Sequence, residues 1–181
     1  QQNQASKEQL DDVIVELKTG LSSAYRQLRE LLTTFRLKID ADGLKQAFEK
    51  TVTQLNERAD GQSSFQLNYN IGDIPLTPSE EIHVMQIARE ATQNALHHSQ
   101  CSHTQLDLFF DQDSCINLVI ADDGVGLGEN PEKLNHYGLA IMKERAAQLG
   151  GNLEITENVP HGTRIHLRFA PKTLITARQA S

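Results

Sequence analysis

The sequence is poor in cysteine. Cys101 and Cys115 are its only two, and they form no CxxC pair. That count argues against a disulfide framework and a structural zinc site, and it fits a reducing compartment. There is no basic excess either: 17 Lys and Arg stand against 24 Asp and Glu, for a formal net charge of -7. A protein that gains its affinity by neutralising nucleic-acid phosphates needs the opposite balance, so no nucleic-acid partner is expected. No run approaches the roughly 18 apolar residues of a membrane span. The polar start, Gln1–Glu8, has no signal-peptide core and no initiator methionine. It opens inside a helical pattern, which predicts a piece of a longer protein. No GxxxxGK[ST] phosphate loop occurs, and Glu129 stands where a dinucleotide fingerprint starting at Gly124 needs its last glycine. Internal repeats and low-complexity tracts are also missing. What remains is 181 residues, 38% apolar and 23% charged, which suits a soluble globular domain with at most a helical appendage.

The appendage comes first. Leu10, Ile14, Leu17, Leu21, Ala24, Leu28, Leu31 and Phe35 alternate steps of four and three. This is the seam of a coiled coil or helical bundle, and a lone helix cannot bury such a stripe on itself. After a break at Asp40–Gly43, the residues Leu44, Phe48, Val52 and Leu55 predict a second amphipathic helix ending near Gly61. Alternation over 65–71 predicts a strand. Thr77, Pro78 and Glu80 have the spacing of an N-cap, a first helical residue and a capping box. They open a helix that buries Ile82, Met85, Ile87, Ala88, Ala91 and Ala95 and runs to about Ser99. Thr104–Phe110 and Cys115–Ala121 read as a hairpin. The glycine-rich stretch Asp122–Tyr137 leads into a helix over Gly138–Leu149, capped by Gly150 and Gly151. A second hairpin, Asn152–Glu157 and Thr163–Phe169, turns at Pro160-His161-Gly162. The tail after Pro171 reads as frayed. Hairpins without a helix between every strand predict an α+β fold, a two-layer sandwich whose mixed, mostly antiparallel sheet is covered on one face by helices. The expected divisions are 1–40, 41–171 and a flexible tail, 172–181.

Two segments have the composition of a site. Glu90 and Asn94 share a helix face that His97 and His98 extend by one turn. This is either an ordinary solvated face or a line of ligands for a phosphate-bound Mg²⁺, which takes few protein oxygens. Asp122-Asp123-Gly124-Val125-Gly126 follows an apolar strand. A carboxylate there is costly to bury without donors, and glycines let the backbone approach a ligand closely. The segment is either an Asp-Gly turn or a seat for an exocyclic amine such as that of adenine. Gly138-Leu139 opens a helix whose N-terminal N–H groups suit a phosphate. Gly162-Thr163 opens the last strand.

In this order the segments resemble the N, G1, G2 and GT boxes of the ATP-binding domain of histidine kinases, within the wider gyrase, Hsp90 and MutL group. The likeness covers about residues 44–170. Arg29–Leu37 (RELLTTFRL), Arg89–Ser99 (REATQNALHHS) and His136–Gly151 (HYGLAIMKERAAQLGG) are similar to nitrate/nitrite sensor kinases. The resemblance implies a Bergerat-type fold with ATP and Mg²⁺ as cofactors. Asn94 would hold the metal against the phosphates. Asp122 would receive the adenine amino group, with a water between Thr163 and the ring, while Gly124 and Gly126 make room. Residues 122–137 would run into a lid, and Gly138 and Leu139 would touch phosphate. Glu90 matches the general base of the ATPase relatives. His97 and His98 would lie beside the nucleotide, and His97 replaces a common lysine. His136 replaces the first glycine of the G2 pattern. The family's phosphoacceptor histidine sits on the first helix of a dimerisation hairpin, yet no histidine precedes His83. Residues 1–38 therefore match the second hairpin helix only, and this chain is expected not to phosphorylate itself. The implied partners are a second copy, through the hairpin, and a response-regulator receiver domain. The implied place is the cytoplasmic part of a bacterial inner-membrane sensor, with no membrane contact by this piece. A non-catalytic docking module and an anti-sigma-type serine kinase are the rival readings.

Overall fold

Residues 43–72, 76–126 and 136–179 are described by the structure, a computed structural model. The seam helix expected over residues 1–38 and most of the expected lid lie outside them. The first described element is α1, Gly43–Ala59, with Leu44, Phe48, Thr51, Leu55 and Ala59 buried. Thr51 takes the place expected of Val52, because its hydroxyl can donate to Ala47 O one turn back, at 2.8 Å. Asp60 and Gly61 end the helix with φ of 47° and 78°, a left-handed turn that glycine adopts freely. The chain then enters β1, Ser64–Asn70. Asn56 ties helix to strand, donating to Phe65 O at 3.0 Å and accepting from Phe65 N at 2.8 Å.

Helix α2 is Pro78–His98, with the predicted capping box of Thr77 and Glu80 in place. Val84 is fully buried and Ile82 only half so. Glu80 is itself 1% exposed. Its Oε2 accepts from Thr77 N at 2.8 Å and from Thr77 Oγ1 at 2.7 Å. Its Oε1 accepts from Lys172 N at 2.8 Å. Lys172 begins α4, Lys172–Gln179, so the segment expected to be a flexible tail is helical. Pro171 leads into the first turn, and a buried carboxylate 92 residues away receives its first N–H. Glu80→Ala should strand the donors of both helix starts and cost about 2 kcal/mol of stability. Urea unfolding should show the loss, with faster tryptic cleavage after Lys172.

The remaining strands are β2 (His103–Phe110), β3 (Ile116–Asp122), β4 (Asn152–Glu157) and β5 (Thr163–Phe169), and α3 is His136–Gln148. The sheet order is β1-β2-β3-β5-β4. Among the described strands only β1 and β2 run parallel, and the other pairings are antiparallel. Register sets Leu106 opposite Ile120 and Ile120 opposite Ile165, and likewise Leu108, Leu118 and Leu167. These side chains share one face. There α1 packs on β1, α2 on β3 and α3 on β4, with α2 also against α1 and α3. Phe48, Met85, Leu106, Leu118, Met142 and Leu167 are fully buried between the layers, each worth about 1.5–3 kcal/mol relative to exposure. The other face is polar. On it Asp111 accepts from Asn117 at 3.0 Å, Cys115 N at 2.9 Å and Arg168 at 2.8 Å. These bonds, that of Asn117 first, hold its carboxyl well below the usual carboxylate range. At the end of α3, Gly151 N donates to Ala146 O and Gly150 N to Ala147 O, both at 2.9 Å. That is a Schellman cap, so the predicted Gly-Gly stop forms as expected. No helix among the described residues is long and apolar enough to cross a membrane.

Candidate functional site

The end of α2 is fastened to the loop after β3. Ser99, its C-cap, accepts from Val125 N at 2.8 Å. A Cβ on Gly124 would lie 2.2 Å from Ser99 O and 2.5 Å from Ser99 Cβ. Glycine at 124 is therefore required by the helix end itself, before any ligand is considered. The helix that carries Glu90 and Asn94 and the strand end that carries Asp122 are held as one unit.

Asp122 is 7% exposed at the end of β3. Its Oδ1 accepts from Gly124 N at 2.9 Å and Thr163 N at 3.2 Å. Burial raises its pKa; the two backbone donors oppose this rise and the charge of Asp123 adds to it. Oδ2 accepts no hydrogen bond among the described residues. Asp123 differs in both respects. Burial also pushes its pKa up, but donors from His103 and Ser102 outweigh it and the value falls. Its Oδ1 accepts from Ser102 N at 2.7 Å and His103 N at 2.8 Å, and its Oδ2 faces His103 Nδ1 at 3.2 Å. Asp123 is thus engaged on both oxygens in starting β2. Among the described residues Asp122 has donors on Oδ1 alone.

The β4–β5 turn closes the other side. Asn158 N donates to Gly162 O, and its side-chain Nδ2 donates to Asp122 O, each at 2.8 Å. His161 Nδ1 lies 3.2 Å from Gly124 O. Gly162, at φ 110°, brings the turn so close that a Cβ would sit 1.9 Å from Asp122 O. Gly126 has φ 77° and faces Gly162 O. Val125 and Val159, 66% and 89% exposed, are apolar residues of these two segments that nothing in the described fold covers.

Three of the four predicted segments therefore meet: the end of α2, the loop after β3 and the start of β5. Thr163 is half-buried, and its backbone N–H serves Asp122. Glu90 and Asn94 are half-buried one turn apart on α2, and His97 is exposed. The His98 side chain lies outside the described residues. Gly138 is buried and Leu139 half-buried in the first turn of α3, which joins the others by packing on α2, with Arg145 donating to Gln86. Asn158 and His161 also belong to the site, through the backbone carbonyls they meet. Pro160-His161-Gly162 reads only as a turn, and nothing local signals that its neighbours reach back to β3. No group of three or more His, Cys, Asp or Glu forms a metal cluster among the described residues. The donors present, an amide and a carboxylate one turn apart, fit a Mg²⁺ whose other ligands are phosphate and water.

Residues 79–173 match the family described as histidine kinase-, DNA gyrase B-, and HSP90-like ATPase. Over 175 residues the chain is 36% identical to the sensor protein NarQ homolog of Haemophilus influenzae, covering 96% of this chain and 30% of that one. It is 33% identical to the nitrate/nitrite sensor protein NarX of Escherichia coli, covering 97% and 29%. The chain thus spans about 30% of the length of these curated relatives. Among solved structures it is similar to the blue-light activated histidine kinase of Erythrobacter litoralis, with a TM-score of 0.63 at 20% identity over 87% of this chain and 51% of that one.

Proposed function

Because the chain belongs to the histidine kinase-, DNA gyrase B- and HSP90-like ATPase family, we propose that it is the ATP-binding catalytic part of a nitrate/nitrite-responsive sensor histidine kinase. The observation that carries this reading is Asp122. It is a buried carboxylate with one oxygen fixed by Gly124 N and Thr163 N and the other without a donor among the described residues. Such a group is costly to keep unless a ligand donates to it, and the amino group of adenine is a donor of the right kind. Thr163 lies beside it for a water-mediated contact with the ring. Gly126 gives the backbone its close approach.

The phosphates would extend along α2. Asn94, with Glu90 one turn earlier, supplies oxygen toward a Mg²⁺ on the phosphates. The metal, when bound, neutralises their charge. Gly138 and Leu139, in the first turn of α3, offer backbone N–H groups and the positive end of a helix dipole. His97 and His98 flank the same run. Transfer of the γ-phosphoryl group would depend mainly on positioning and charge stabilisation. The acceptor would be a histidine outside this chain, on the other helix of a dimerisation hairpin, and the phosphoryl group would pass on to a response-regulator aspartate. In the whole protein this part would lie on the cytoplasmic side of the inner membrane.

Two measurements test the reading together. Mg-ATP at a hundredfold excess over Kd should stabilise the chain by about 2.7 kcal/mol in a thermal melt. With γ-labelled ATP the chain should gain no acid-labile, base-stable label, while a supplied hairpin helix bearing the acceptor histidine should gain it. A melt indifferent to Mg-ATP, or label on the chain itself, contradicts the proposal.

A further inference from the structure

We propose that Asn158 and His161, on the β4–β5 turn, are positioning residues that aim the Asp122 carboxylate at the purine amino group. The inference rests on the reading of Asp122 given above. The turn does not need either side chain for its own closure. The backbone bond from Asn158 N to Gly162 O at 2.8 Å and the pairing of Glu157 with Thr163 already close it. Both side chains instead cross to the end of β3 and the loop after it. Asn158 Nδ2 donates to the carbonyl of Asp122 at 2.8 Å. His161 Nδ1 lies 3.2 Å from the carbonyl of Gly124, which can only accept, so this nitrogen carries the hydrogen.

These carbonyls bracket the group that matters. Asp122 Oδ1 is oriented by two donors, Gly124 N in the loop and Thr163 N just after the turn. Loop and turn are separate segments, more than thirty positions apart in the chain. The carboxylate plane is defined only while their separation is held. Gly162 permits the approach, since any Cβ there would meet Asp122 O. It supplies no attraction, and Asn158 and His161 do. Without them the longer bond, from Thr163 N, is the one to weaken, and Oδ2 loses its fixed direction. The desolvated carboxylate then keeps its cost while its contact with the amino group degrades.

The test is a comparison of two nucleotides on the whole 181-residue chain: ADP, and purine riboside 5′-diphosphate, which lacks the amino group. The native chain should prefer ADP by about tenfold or more, the range expected when a buried acceptor is left without its donor. In Asn158→Ala the preference should fall at least threefold, with little change in affinity for the purine analogue. His161→Ala, at an exposed side chain, should shift the preference in the same direction without unfolding the turn. A variant that weakens both nucleotides equally, or keeps the native preference, overturns the positioning role while leaving Asp122 in place. A native chain that binds both nucleotides equally removes the Asp122 reading and this inference with it.

Discussion

Asp122→Asn is expected to bind a non-hydrolysable ATP analogue about thirtyfold more weakly than the native chain, and to be at least as stable to urea. The two effects separate because the two oxygens of Asp122 do different work. The amide oxygen of asparagine can still accept from Gly124 N and Thr163 N, so the loop keeps its anchor. The amide nitrogen then occupies the other position, where it presents a donor to the purine's own donor. A buried donor facing a donor loses the bond and adds an unsatisfied group, about 2 kcal/mol together. Stability moves the other way. Burial raises the pKa of Asp122 in the folded state. The contribution of such a group is fully present below its unfolded pKa and is lost as pH rises through the folded value. At pH 7 the buried charge therefore opposes folding, and the neutral amide removes that opposition. The stability gain of Asp122→Asn should shrink as the medium is acidified toward pH 4. Calorimetric titration gives the affinity, and urea unfolding at two pH values gives the rest. Unchanged affinity would remove the adenine assignment, and a large loss of stability would mean that the charge is held by partners other than the two backbone donors.

The sequence was most legible where the determinant is local. Thr77, Pro78 and Glu80 lie within four positions, and the capping box they predict forms. Alternation places β1, and both hairpins pair as expected because their turns leave little other choice. The same patterns say nothing about partners far along the chain. The parallel pairing of β1 with β2 joins strands separated by the whole of α2. The second oxygen of Glu80 caps a helix start 92 residues away, so the tail that the sequence predicts to be frayed starts as a helix on a residue whose local role is already the Thr77 capping box. Gly124 shows a further limit. Its sequence context suggests room for a ligand, and the structure shows that the room is first required by Ser99. An Asp-x-Gly-x-Gly pattern therefore reports the closeness of a helix end and a loop, and the site is built on that closeness. Asn158 and His161 were invisible for the reason that hid Glu80: what they do is defined by the backbone they reach.

Gly162→Ala should be the most damaging small substitution in the described fold, costing about 4 kcal/mol or more. Two penalties coincide there. At φ 110° an L side chain is strained wherever it points, and the added Cβ would lie 1.9 Å from Asp122 O and 2.7 Å from Asp122 C. Both neighbours are backbone, so no side chain can swing aside. Either β3 or the turn must move, and moving them breaks the bonds from Asn158 to Asp122 O and from Thr163 N to the carboxylate. Against a total of about 5–15 kcal/mol for a domain, that loss leaves little reserve. Gly61→Ala is the control. It has φ 78° with nothing within 4 Å of the added Cβ, so only the backbone penalty of about 1–2 kcal/mol remains. Urea unfolding of the two variants should therefore differ by at least about 2 kcal/mol, and Gly162→Ala should also lose ATP-analogue binding under conditions where it is still folded. Equal costs for the two variants would mean that the turn can withdraw from β3 freely. The Asp122 carboxylate would then not be held by the turn, and the selectivity expected of Asn158 and His161 would vanish with it.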